Sequence, residues 1–131
     1  MSKSIVWTQN APASIGPFSQ AVKANGFVFV SGQVAIDPAT QKVIEGDVSA
    51  QTEQIIRNIQ AILDAAGTTL QNVVQSRVFL RDMGDFAAMN AVYGGFFVSE
   101  HPARTTVEVS RLPLDVAVEI DVVALAKGTL G

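Results

Sequence analysis

Arg104 opens a β-branched run, Pro102 to Pro113 (PARTTVEVSRLP), in a chain that has only 9 Lys and Arg among 131 residues. Read with a strand period of two, Arg104, Thr106 and Glu108 share one side, and Ala103, Thr105, Val107 and Val109 share the other, which reads as a core face. A guanidinium in this position has two uses. It can be a solvated or salt-bridged strand residue, or its planar fork can clamp a carboxylate or phosphate, a geometry lysine does not reproduce. Glu119 raises the complementary question, because it interrupts an otherwise apolar strand. On an edge it would be an outward-facing carboxylate; in a central strand with a covered face it would be partly desolvated, with the raised pKa that suits a general acid/base. Glu108 and Asp121 are weaker candidates for that role and read better as surface or structural residues. Asn90, in mid-helix, implies either a buried hydrogen bond or plain exposure. Ser31-Gly32 ends a β-branched run, either as a strand terminus or as a place where a ligand approaches the backbone. His101, before Pro102, reads as a solvent-facing loop residue. "SIGPFSQA" lacks the G-x-G-x-x-G spacing, and no phosphate-loop or zinc spacing occurs in the chain.

Composition narrows the classes. At 131 residues, one domain is expected. Charged residues are 16% and hydrophobic residues 48%, against a usual charged share of about 25%, so another chain is expected to cover part of the surface and an oligomer is favoured. The formal net charge of −3 gives no general attraction to nucleic acid or anionic lipid. No cysteine is present, which excludes disulfides and thiolate chemistry, and the single histidine, His101, excludes a histidine-rich metal site. The N-terminal MSKSIVWTQN has no apolar run of signal-peptide length, and no apolar stretch approaches a membrane span, so a soluble, cytoplasmic protein is expected.

The elements that must position these residues follow from periodicity. Short strands are predicted around Ser4 to Thr8 and Ser19 to Lys23, followed after Asn25-Gly26 by Gly26 to Gln33; the Asn-Gly pair predicts an antiparallel hairpin between the second and third. From Asp47, Ile55, Ile56, Ile59, Ile62, Leu63 and Ala66 mark one helix face, with Asp47 or Ser49 as cap and Gly67 as terminator. Val73 to Leu80 reads as a buried strand. A second helix spans about Asp85 to Val98, with Phe86, Met89, Tyr93, Phe96 and Phe97 on or near one stripe. The Arg104 strand comes next, and Val116 to Ala126 is the last, with Val116, Val118, Ile120, Val122 and Ala124 on one face. This order predicts an α+β domain whose two helices cover one face of a single mixed sheet. The other face is expected to hold Arg104, Thr106 and Glu119 and to need a partner chain.

"IGPFSQAV", "VFVSGQVAIDP", "RVFLRDMGDFAAMNAVYGGFF" and "PARTTVEVSRLPLDVAVEIDVVAL" resemble, in order and spacing over nearly the whole chain, the RidA/YjgF family of enamine/imine deaminases. The resemblance implies a single domain over residues 1–131 with a chorismate-mutase-like α+β fold, a six-stranded mixed sheet with two helices on one face. It implies a homotrimer with sites between subunits. It also implies hydrolysis of 2-aminoacrylate and related enamines, through their imines, to 2-keto acids and ammonia. These intermediates come from pyridoxal-phosphate-dependent dehydratases; the deaminase itself is expected to use no cofactor or metal. By position, Arg104 would bind the substrate carboxylate and Glu119 would polarise the attacking water, while Ser31, Gly32 and Asn90 would line or support the cleft. Two positions depart from the family pattern. Phe18 replaces a tyrosine, keeping the ring and losing the hydroxyl; Thr106 replaces a frequent cysteine at a position that acts mainly through its backbone. Two other readings are a binding protein or sensor for a small 2-keto or amino acid, and a ribonuclease or translation inhibitor, a label the family also carries. The acidic balance and the lack of a basic-aromatic stripe argue against the latter.

Overall fold

The structure is a computed structural model and describes residues 2–126. Its organising element is the first helix, α1 (Val48–Ala66). Ile55, Ile56, Ile59, Ile62 and Leu63 recur at three-to-four spacing and are fully buried. Burying each such side chain contributes roughly 1.5–3 kcal/mol. The ends are set as the sequence predicts: the Asp47 side chain accepts a hydrogen bond from the Ala50 N–H, and Gly67 takes the left-handed conformation at φ 87°.

Eight strands occur among the described residues, β1 (Ser4–Val6), β2 (Ala21–Ala24), β3 (Phe27–Gln33), β4 (Ile36–Asp37), β5 (Lys42–Val43), β6 (Val73–Leu80), β7 (Ala103–Glu108) and β8 (Val118–Leu125), with a second helix, α2 (Phe86–Phe96), between β6 and β7. Six of them form the mixed sheet in the order β1-β2-β3-β8-β6-β7. Only the β6–β7 pair is parallel, its strands joined by the α2 crossover; the other four pairings in the sheet are antiparallel. The Asn25-Gly26 turn does join β2 and β3 antiparallel. The two-residue strands β4 and β5 pair with each other in a small ribbon that the sequence reading leaves as loop. β6 matches the reading to the residue, β7 stops at Glu108, short of the Pro113 end of its run, and the ends of the remaining elements differ by one or two residues, because frayed termini carry no periodic signal.

The alternating residues Val28 and Val30 of β3, Val78 and Leu80 of β6, and Val118, Ile120 and Val122 of β8 make one buried face with α1. Both helices lie on that face. The expectation for the opposite face needs correcting. Ser76 pairs in register with Arg104 and Val78 with Thr106, while Ser76 and Val78 also pair with Val122 and Ile120. Paired residues share a face, so Arg104 and Thr106 lie on the helix side. Glu119 pairs with Phe79 and lies on the open side. Ala103, Thr105 and Val107, read as a core face, are exposed and pair with the open-side residues Gln75, Arg77 and Phe79. A period of two groups residues by face without saying which face the helices cover; β7 is an edge strand beside α2 rather than under α1, so polar side chains fit there.

Candidate functional site

Two cavities hold the residues singled out from the sequence, and they lie on opposite sides of the sheet. The larger, about 580 Å³, opens on the uncovered face and is lined by Phe18, Ser31, Gly32 and Glu119 together with Ile15 and Leu114. The smaller, about 280 Å³, lies beside α2 and is lined by Asn90, Tyr93, His101 and Arg104. Thr106 follows Arg104 by two residues on the same side of β7 and lines neither.

The Glu119 side is built from the backbone outward. β8 is central, between β3 and β6, which meets one of the two conditions set for Glu119; its face is open in the single chain, and its partial burial comes from the cleft against β3. β3 changes register against β8 between Val30 and Gln33, and Gly32 falls in this irregularity. A Cβ on Gly32 would collide with Oε2 of Glu119, so the missing side chain is what admits the carboxylate against β3. Burial pushes the Glu119 pKa up, and the negative charge of Asp121 adds to the rise. Asp121 is itself held by Arg77, whose Nε and Nη2 donate to its two oxygens at 3.0 and 2.9 Å. Glu108 accepts from the Met83 N–H. Both carboxylates therefore have structural partners, as their sequence reading expected.

The wall around Glu119 depends on Gln20, a residue sequence reasoning passed over. Its side chain is buried; Oε1 accepts from the Thr8 N–H at 2.7 Å, and Nε2 donates to the Thr8 and Pro12 carbonyls at 3.0 and 2.8 Å. That brace holds the irregular segment leading to Phe18. Ser31 completes it, its hydroxyl donating to the Ser19 carbonyl at 2.6 Å. Ser31 thus supports the wall through Ser19. Ile15, Phe18 and Leu114 are all exposed around the mouth, and Leu114 holds a left-handed conformation at φ 59°, next to Asp115 at φ 56°, a backbone state that costs a leucine roughly 1–3 kcal/mol.

On the Arg104 side, the guanidinium carbon lies 4.7 Å from the Tyr93 ring centroid and 5.7 Å from that of Phe86. The Tyr93 hydroxyl is 2.6 Å from the Ser76 hydroxyl. Burial raises the Tyr93 pKa, while the Ser76 hydrogen bond and the Arg104 charge pull the other way, so the phenol stays protonated at neutral pH. Asn90 is half-buried, and its Oδ1 is buried with no hydrogen-bond partner among the described residues. Asn90 lines the same small cavity as Arg104. His101 is exposed in its loop, as expected, yet it also borders this cavity.

The fold defines a small α+β protein with two separate cavities, one beside the Arg104 cation and one holding a desolvated carboxylate. The chain belongs to the Endoribonuclease L-PSP family, whose model matches residues 8–126, and its relatives carry the names RutC, RidA and YjgF. It is 52% identical over 122 residues to a RutC family protein of Pyrococcus horikoshii, covering 93% of this chain and 97% of the relative. It is 47% identical over 130 residues to the 2-iminobutanoate/2-iminopropanoate deaminase of Salmonella typhimurium, covering 97% of this chain and 100% of that one. Among solved structures it resembles E. coli TdcF with bound serine, at a TM-score of 0.89 and 39% identity, over 93% of this chain and 98% of the other. The resemblance to the RidA/YjgF family and the predicted sheet with two helices on one face are borne out.

Proposed function

We propose that the protein is an imine deaminase that works as a homotrimer, each site joining the Arg104 cavity of one copy to the Glu119 cleft of the next. The observation that carries this reading is the separation of Arg104 and Glu119 to opposite faces of one sheet. They lie on opposite faces and two strand spacings apart, with β6 between, roughly 10 Å across the sheet, so one chain cannot close both around a small substrate. A head-to-tail contact between copies can, and repeated with rotational closure it forms a ring. The same contact would cover Phe29 and Val107, which are exposed on the open face. A solved relative with an amino acid bound, and a curated relative named for imine hydrolysis, support the substrate class.

In this reading Arg104 donates two hydrogen bonds to the substrate carboxylate, each charge-assisted and contributing roughly 1.5–3 kcal/mol. The adjacent C=N carbon then faces Glu119 of the neighbouring copy. Glu119, whose raised pKa makes it a better base than an ordinary carboxylate, takes a proton from water as the oxygen adds to the imine carbon. Glu119 returns that proton to the nitrogen, giving a carbinolamine; the hydroxyl proton is then passed through Glu119 to the same nitrogen as the C–N bond breaks, so that the electron pair leaves on ammonia and the oxygen becomes the carbonyl of a 2-keto acid. Fixing both reactants supplies the orientation term. No cofactor takes part in this scheme, and the reaction belongs in the compartment of the dehydratase that releases the imine, the cytoplasm.

Adding the protein to a threonine dehydratase reaction tests it. Faster appearance of 2-oxobutanoate with the native chain, and background rates with Arg104→Ala, are expected; no acceleration by the native chain contradicts the proposal. The replacement of tyrosine by Phe18 favours a second reading, a 2-keto or amino acid sensor, which predicts ligand binding lost in Arg104→Ala with no turnover. RNA cleavage that survives Arg104→Ala would count for neither. Phe18→Tyr in the same assay reads out the missing hydroxyl: a higher rate means the phenol assists turnover, an unchanged rate that the ring only packs.

A further inference from the structure

An arginine that binds a substrate anion must be aimed without being neutralised. Strand arginines are commonly aimed by a carboxylate, as Arg77 is by Asp121. Arg104 is held differently. Among the described residues no carboxylate lies within ion-pair distance of it, and its guanidinium lies over two aromatic rings instead, Tyr93 at 4.7 Å and Phe86 at 5.7 Å. An aromatic face attracts the cation through its quadrupole without neutralising it, and leaves N–H donors of the fork free. A carboxylate in the same place would fill the fork that the substrate needs.

The nearer ring is itself fixed from two directions. Its hydroxyl meets Ser76, which is fully buried and sits opposite Arg104 in the β6–β7 register. Its face stacks on Phe97, with centroids 4.4 Å apart and planes 25° from parallel. Ser76 from β6, Tyr93 from α2 and Arg104 from β7 therefore form one connected unit across three elements.

We propose that Tyr93 is the positioning residue of the anion clamp, its Ser76-anchored ring setting the direction of the Arg104 fork. The inference rests on the carboxylate reading above only for the nature of the anion; the holding of Arg104 is independent of it. The sequence places Tyr93 on or near one helix stripe, and in the structure it is a core residue on one edge. The other edge faces the cavity.

The test compares Tyr93→Phe, Tyr93→Leu and pentafluorophenylalanine at position 93, which keeps ring size and inverts the quadrupole. Two quantities are measured on the intact protein, with melting temperature as a fold control: the order of the Arg104 Nε–H by 15N relaxation, and the affinity for 2-oxobutanoate by calorimetry. The native chain is expected to keep an ordered Nε–H; Tyr93→Phe keeps the ring face but loses the Ser76 anchor, so its order and affinity are expected to fall between those of the native chain and Tyr93→Leu, with binding about threefold weaker than native. Tyr93→Leu and the fluorinated variant are expected to lose that order and to bind at least about tenfold more weakly. If Tyr93→Leu fails to fold, the fluorinated variant carries the test. Unchanged order and affinity in a folded variant lacking the normal ring face overturn the proposal. Order lost on substitution in a protein that never binds 2-oxobutanoate upholds the role of Tyr93 and overturns the carboxylate reading.

Discussion

Glu119 and Gly32 form a steric pair, and their substitutions should separate fold from chemistry. In Gly32→Ala the new Cβ meets the end of a flexible carboxylate, so the chain is expected to fold with Glu119 displaced by about an ångström, and misplacement on that scale costs on the order of 10²-fold in rate. Steady-state kinetics beside a thermal melt would check it. The pH dependence has a definite sign. The folded-state pKa of Glu119 is raised by burial and by Asp121, so the folded state binds this proton more tightly than the unfolded chain does. Its contribution favours the fold in acid and is lost as pH rises through the raised pKa. Glu119→Gln should therefore raise the melting temperature near neutral pH, with the gain vanishing in acid, while abolishing imine hydrolysis. In the native protein the rate should fall on acidification at a pH above the ordinary carboxylate range, as the base is protonated. At this scale residue type was informative: Arg104 and Glu119 stood out as charges in β-branched runs. The role of Gly32 was not legible, because its neighbour is 87 positions away and is brought near by strand pairing.

At the scale of elements, α1 was readable almost to the residue, because a helix is a local object whose stripe and caps lie in one stretch of sequence. Asp47→Ala removes the side-chain acceptor of the Ala50 N–H and is expected to lower stability by about 1 kcal/mol with activity intact, checked by chemical denaturation. The faces of β7 were misread for the opposite reason. Alternation assigned Arg104 and Thr106 together correctly, but which side the helices cover depends on β7 lying at the sheet edge beside α2. Gln20 escaped notice because its value lies in three backbone groups of an irregular segment, which has no periodicity to read. Gln20→Ala leaves those groups unpaired and should loosen the Phe18 wall. The expected result is a KM raised several-fold together with a stability loss of roughly 1–3 kcal/mol.

For the molecule as a whole, a low charge content and exposed apolar residues on the open sheet face are one fact seen twice. Phe29 and Val107 are 45% and 38% exposed, and the chain's sparse charge predicted that something covers such a surface. Sequence composition could suggest a partner but not a geometry; the proposed geometry is argued from two cavities on opposite faces of the sheet. The central claim, that each site takes Arg104 from one copy and Glu119 from the next, has a direct test. Arg104→Ala and Glu119→Gln chains are each purified, unfolded together in equal amounts, refolded and assayed for imine hydrolysis. Each variant alone should be inactive. Random mixing places an intact Arg104 beside an intact Glu119 at about a quarter of interfaces in a head-to-tail ring, so the mixture should recover about a quarter of native activity. A mixture that regains correctly sized assemblies and stays as inactive as its components would contradict the account.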